Sequence, residues 1–425
     1  MTTERHLERD LPSILDDLAV GLYPDYVDDV LTITAHRRQR PAWTFPERWL
    51  PMELVFRQQL SGPRFAWRTA GLFVLLALAL VAGTVMLVGA LPRVPEPFGL
   101  ARNGAISFER EGDIYVADEV GGVPRSVIVG PDLDFLPIFS LQGTRLLFFR
   151  ELPSKQPMLM LANADGSAVR ELAGPFPAFN SVDWAPDGSQ IAIGWEQRGF
   201  PKITLVPTDG KAATTLDLDF PGMNPSWRPP NGNQLLFRGQ PKDGPRTGLF
   251  LIGADGTDLR RLELDPGPGN QLFQFGGAAW SPDGTQIAFN RDDQTPTGIR
   301  YRIHMAEVDL GGTVIVDRSM EFDAGSQAEH SHRWSPDGEY LSFQIWRDRQ
   351  VHVAVARADG TGPVVLTGPA APDDSGMTYT WAPDGSTLLA TYFANGDLWS
   401  LDAAGGEARK LGAANDVATW QRTAP

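Results

Sequence analysis

The 425 residues carry 52 Asp and Glu against 37 Lys and Arg, a formal charge of −15, and most of the excess lies in the C-terminal three quarters. That balance excludes a nucleic-acid-binding role for this part, because gripping phosphates needs clustered Lys and Arg. Cysteine is absent, which excludes a disulfide framework and thiolate metal sites, while 44 Gly and 35 Pro point to a chain with many turns.

Residues 1–68 read as a small helical head. Leu7, Leu11, Ile14, Leu15 and Leu18 fall at helical spacing, with Pro12 tolerable in a first turn. Pro24 is placed to open a second helix that carries Tyr26, Val27, Val30, Leu31 and Ile33 to about Arg38. Pro41, Pro46 and Pro51 then interrupt any long helix, and Trp43, Phe45 and Trp49 suit a membrane interface, a docking groove or packing back onto the two helices. The stretches DLPSILDDLA and RQRPAW..PERWLP resemble the cytosolic heads of bacterial single-pass membrane proteins of the anti-sigma-like kind. That resemblance implies a cytosolic protein partner, a sigma factor in the anti-sigma case. The zinc-binding version of such a domain is excluded by the lack of cysteine.

Residues 69–91, TAGLFVLLALALVAGTVMLVGAL, contain no charged side chain. At about 1.5 Å of rise per residue the run crosses the roughly 30 Å apolar core of a bilayer, and it predicts one transmembrane helix. A buried core helix would show a polar stripe, and a cleaved signal peptide would start nearer the N-terminus, so the run reads as a signal-anchor. Arg57, Arg64 and Arg68 before it outnumber Arg93 and Arg102 after it, which places the head in the cytoplasm and the rest outside, in the cell envelope. Residues 92–103, with Pro92, Pro95 and Pro97, form an extended linker.

From residue 104 to 425 one unit recurs: an aromatic residue, a Pro-Asp-Gly turn, then an alternating apolar strand. Its clearest copies are WAPDGSQIAI at Trp184, WSPDGTQIAF at Trp280, WSPDGEYLSF at Trp334 and WAPDGSTLLA at Trp381, with degenerate copies at Phe139 and Trp227. Successive starts lie 43 to 54 residues apart, the period of a four-stranded propeller blade. In the turn, Pro presets φ, Asp accepts backbone N–H groups and Gly supplies a positive φ. Asp187, Asp283, Asp337 and Asp384 are therefore read as structural, and the repeat tryptophans as packing between blades. The N-terminal GAISFEREGDIYVADEVGG lacks the aromatic first strand, and the C-terminal DVATWQRTAP supplies it with Trp420. Joined, they make a seventh blade and close the ring. The repeats resemble the TolB-like (WD40-like, PD40) propeller family, whose hallmark is the strand W-[SA]-P-D-G-x-x-[IL]-x-[FA]. The fold class expected is all-β, a seven-bladed propeller, with the six blades of TolB itself as the alternative.

The first strands of a propeller line its channel. Just before Trp334 stand Gln327, His330 and His332, and a His-x-His pair on a regular strand puts both imidazoles on one face, as a divalent metal requires. This placement is similar to the manganese-binding strand of oligogalacturonate lyases, seven-bladed propellers that add a His from an adjacent blade. The corresponding strand, FGGAAW at Phe275–Trp280, has none, and His304 falls on a third strand. No nucleophile elbow, phosphate loop or dinucleotide fingerprint occurs, and no cofactor is called for. The leading expectation is a membrane-anchored, non-enzymatic module whose propeller binds a protein or glycan outside the cytoplasm. The alternatives are an anti-sigma-like transmembrane regulator and a metal-dependent polysaccharide lyase.

Overall fold

The computed structural model describes residues 95–242, 247–264, 277–295, 298–319, 327–328, 331–347, 349–372 and 376–424, together with Leu76. The head expected over 1–68 lies outside the described residues, as does the span over 69–91 apart from Leu76. Among the described residues no helix is long and apolar enough to cross a membrane. The chain divides into two units, Met1–Leu91 and Pro92–Pro425, and the architecture that follows is that of the second.

Seven antiparallel sheets follow one another along the described chain, six of them with their strands in sequential order from the axis outwards. Blade 1 begins with the inner strand Asp134–Phe139, blade 2 with Phe179–Trp184, blade 3 with Gly222–Trp227 and blade 4 with Ala279–Trp280. In blade 5 the inner strand is split into Gln327–Ala328 and Arg333–Trp334, and blade 6 begins with Met377–Trp381. Blade 7 takes its inner strand, Thr419–Thr423, from the C-terminus, and its other three, Arg102–Arg110, Asp113–Ala117 and Arg125–Ile128, from the start of the ring. The closing register is Ile106↔Trp420 and Ser107↔Thr419. The ring thus has seven blades, not six, and the join read from the two chain ends is the one observed.

Both faces of each sheet meet a neighbouring blade, so the second strands are near-continuous apolar runs; Leu146, Leu147, Phe148 and Phe149 are all fully buried. The core accordingly consists of seven clusters, one in each gap between successive blades. Leu147, Phe149 and Leu161 of blade 1 pack with Trp184, Ile191 and Ile193 of blade 2. Across the closing gap, Ile114 and Val116 of blade 7 pack with Phe139, Leu146 and Phe148 of blade 1. Each repeat aromatic lies in the gap to the preceding blade: Trp227 with Ile203 and Leu205, Trp280 with Leu236 and Leu249, Trp334 with Ile303 and Met305, Trp381 with Val353, and Trp420 with Leu389.

The repeat turns are closed by their own residues. Asp283 Oδ1 accepts from the Thr285 N–H at 3.0 Å and the Ser281 hydroxyl at 2.6 Å. Asp187 and Asp384 accept from the N–H two residues on, Ser189 and Ser386, each at 2.9 Å, and Asp337 from Glu339 at 3.0 Å. These carboxylates therefore serve the hairpin that follows each inner strand, not a ligand.

Candidate functional site

The residue just before the repeat aromatic pairs with the second strand of its own blade and turns its side chain away from the aromatic. Around the ring this position is Ile138, Asp183, Ser226, Ala279, Arg333, Thr380 and Thr419. All seven are partly or fully open to solvent, although the inner strands are covered by blades on both faces. The opening available to them is the central channel. The ring therefore presents one acid, one base, three hydroxyls and two apolar groups.

Asp183 and Arg333 sit on the inner strands of blades 2 and 5, three blades apart, so their charges meet across the axis. Arg333 is exposed, and among the described residues its guanidinium forms no hydrogen bond or ion pair. Asp183 is deeply set: its Oδ2 accepts the Trp227 N–H of blade 3 at 2.8 Å, and the Ser226 hydroxyl also bonds to it. Burial pushes the Asp183 carboxyl up to about 7, against the opposing pull of the Trp227 N–H and the Arg333 charge. The residue as a whole keeps partial exposure, but burial around the carboxyl governs its ionisation.

Blade 6 adds Tyr379, 3% exposed, whose hydroxyl donates to the Ser331 carbonyl of blade 5. Burial holds that phenol well above the usual tyrosine range, so it stays a neutral donor, with the Arg333 charge and the Ser342 hydroxyl acting in the other direction. Trp381 Nε1 donates to the Arg333 carbonyl at 3.2 Å, and Ser342 Oγ to the same carbonyl at 3.1 Å. The backbone beneath Arg333 is thereby fixed from two sides while its guanidinium stays open.

The residues singled out in the sequence are not brought together in this way. Gln327 lies in a two-residue strand opposite Trp346, and its ladder stops at Ala328 and resumes at Arg333. Ser331 stands at φ 69°, so the chain is not an extended strand there and the alternation assumed for residues 330 and 332 does not hold. His330 lies outside the described residues. His332 is 5% exposed and its Nδ1 is 3.1 Å from Asn290 Oδ1 on blade 4. Among the described residues no three His, Asp or Glu side chains are grouped as a metal ion would need. Asp183 and Arg333 were missed, although stacking the repeats on their aromatic residue shows them as the only charges in the preceding column. Two surface pockets, of about 450 and 380 Å³, lie at the turns of blades 3 and 4, away from the channel ring.

No family model and no curated protein matches the sequence. Solved structures do resemble the fold. A prolyl endopeptidase is 13% identical with a TM-score of 0.53, covering 76% of this chain and 51% of its own, so this chain spans about half of that protein. Oligogalacturonate lyase from Vibrio parahaemolyticus is 12% identical with a TM-score of 0.51, covering 74% and 86%. TolB from Acinetobacter baumannii is 15% identical with a TM-score of 0.46, covering 77% and 68%. At these identities the likeness is one of fold. Its repeat strand resembles that of TolB-like propellers.

Proposed function

We propose that the chain is a membrane-anchored binding and sensing module with no catalytic activity of its own. Residues 69–91 cross the membrane as a signal-anchor, the head engages a cytosolic protein, and the propeller binds a protein or glycan on the other side. The observation that carries this reading is the closed ring. With seven blade-to-blade cores and the last strand of the chain hydrogen-bonded to the first strand of the ring, the propeller is a rigid platform whose connecting loops are free to carry recognition. Its acidic charge favours partners other than nucleic acid and suits a soluble exported domain.

The absence of cysteine makes the topology directly testable, because single introduced thiols are unambiguous reporters. Val123 is 90% exposed on blade 7, and Val123→Cys in the full chain should react with a membrane-impermeant maleimide in intact cells. Thr3→Cys in the head should react only after permeabilisation, and the reverse pattern would refute the orientation. The binding half is read by probing a glycan array with the detergent-solubilised chain and by photocrosslinking from propeller loops in cells. Blank results in both would leave the module without a ligand and the reading without support.

A further inference from the structure

We propose that the channel ring is a binding site for a small zwitterion, an amino acid or short peptide, held with its ammonium group against Asp183 and its carboxylate against Arg333. The inference goes beyond the partner reading, since a ligand in the channel needs neither a macromolecule on the loops nor a membrane. Its basis is one acid and one base, the only charges in a seven-residue ring, placed on blades 2 and 5 so that they face each other across the axis.

The two groups do not close on each other as an ion pair, and Arg333 has no other partner among the described residues. An open guanidinium presents a planar fork of donors, the geometry that a carboxylate accepts through both oxygens. Asp183 is held differently. The Trp227 N–H and the Ser226 hydroxyl fix its orientation in the wall of the channel, and the carboxylate lies near enough to Arg333 to feel that charge. A ligand carrying both charges satisfies both ends at once, whereas a simple anion or amine engages only one of them. The rest of the ring suits the middle of such a molecule. With the Ser226 hydroxyl on Asp183 and the Thr419 hydroxyl on the Pro137 carbonyl, Thr380 offers a hydroxyl for a peptide group, and Ile138 and Ala279 an apolar wall for a short side chain. Beneath Arg333, Trp381 and Ser342 brace the backbone, so the fork is carried on a fixed strand.

The test is isothermal titration calorimetry on the purified full chain in detergent, with a length ladder of glycine, diglycine and triglycine, and with ethylamine and acetate as single-charge probes. One rung of the ladder should bind at least tenfold tighter than either single-charge probe. Arg333→Gln and Asp183→Asn should each weaken that rung at least tenfold, and Arg333→Lys, which keeps the charge but loses the fork, should fall between. Because Asp183 ionises near neutrality and Arg333 is the charged group facing it, affinity should also rise from pH 6 to pH 8. A ladder that binds no tighter than ethylamine or acetate would overturn the proposal, as would Arg333→Gln binding like the parent. If Asp183→Asn fails to fold, the exposed Arg333 substitutions decide alone.

Discussion

Burial raises the Asp183 carboxyl from an ordinary 3.8 to about 7, and this has a consequence for stability that is separate from any ligand. A carboxyl with a raised folded-state pKa keeps its proton in the folded chain after the unfolded chain has lost it. The fold is therefore unpenalised below about pH 4, loses stability as pH rises toward 7, and carries a constant penalty above that. The shift corresponds to on the order of 2–4 kcal/mol once screening at this partly exposed residue is allowed for. Asp183→Asn keeps an acceptor for the Trp227 N–H and cannot ionise. The gap in melting temperature between parent and variant should therefore move steadily in the variant's favour between pH 4 and pH 7. Parallel curves would show that Asp183 is solvated like a surface carboxylate. Arg228 sets a second case at the same scale. It follows Trp227 where blades 1, 2, 4, 5 and 6 have Ala or Ser, and its guanidinium donates to the Gly284 and Val308 carbonyls of blade 4 and to Gln234 Oε1, each at 2.9 Å. It also lies over the Trp280 ring at 4.6 Å. Arg228→Ala leaves two buried carbonyls without a donor and should cost about 2–4 kcal/mol in chemical denaturation. A change under half a kcal/mol would mean that water replaces the clamp.

The same clamp explains the turn it touches. Gly284 sits at φ +70°, and a Cβ built on it would lie 1.9 Å from the Pro229 carbonyl oxygen of the preceding blade. Gly284→Ala must therefore push blades 3 and 4 apart. Gly199→Ala, at φ +80° but with open space around it, carries only the backbone strain of about 1 kcal/mol. The first variant should lose several times as much stability as the second, and equal losses would show that the turn moves freely against its neighbour. These turns are also why the architecture was legible in the sequence. Trp, Pro, Asp and Gly occupy fixed offsets because each has one physical job, and a unit that repeats its job repeats its residues. The join of the two chain ends followed from which strands each end lacked. The channel site was less legible because it joins blades 2 and 5, and no spacing along the chain marks residues that meet only across an axis. The histidine reading rested on a strand period of two. Inner strands do not keep that period: Leu136, Asn224 and Ser331, each two residues before its ring position, all have positive φ. Bulges of this kind turn the backbone where it lines the channel, and they displace any side chain whose direction was counted through them.

Closure governs the molecule as a whole. Each blade of the ring has two apolar interfaces, and the C-terminal strand provides the last of them. Trp420 packs with Ile106 and Phe108 of its own blade and with Leu389 and Leu398 of blade 6. Thr419 Oγ1 donates to the Pro137 carbonyl at 2.9 Å, and Gln421 Nε2 to the Gly143 carbonyl at 2.7 Å, both on blade 1. One five-residue strand therefore bonds to blade 7 along its edge and bridges both neighbours. Ending the chain after Asp416 removes all of this and exposes the inner edge of Arg102–Arg110 to the channel. An opened array of blades has two ends with one interface each, so it loses the coupling that makes seven units unfold as one. Followed by tryptophan fluorescence in denaturant, the intact chain should unfold its propeller in a single transition. The shortened chain should unfold in stages from a lower midpoint, or associate through its free edge. Trp420→Ala keeps the ladder while emptying the gap to blade 6, and should lower the unfolding free energy by about 3–5 kcal/mol without splitting the transition. If the shortened chain unfolded like the parent, rigidity would have to come from each blade separately. The channel ring, whose two charges are held opposite each other only by the closed circle, would then have no fixed span for a ligand to match.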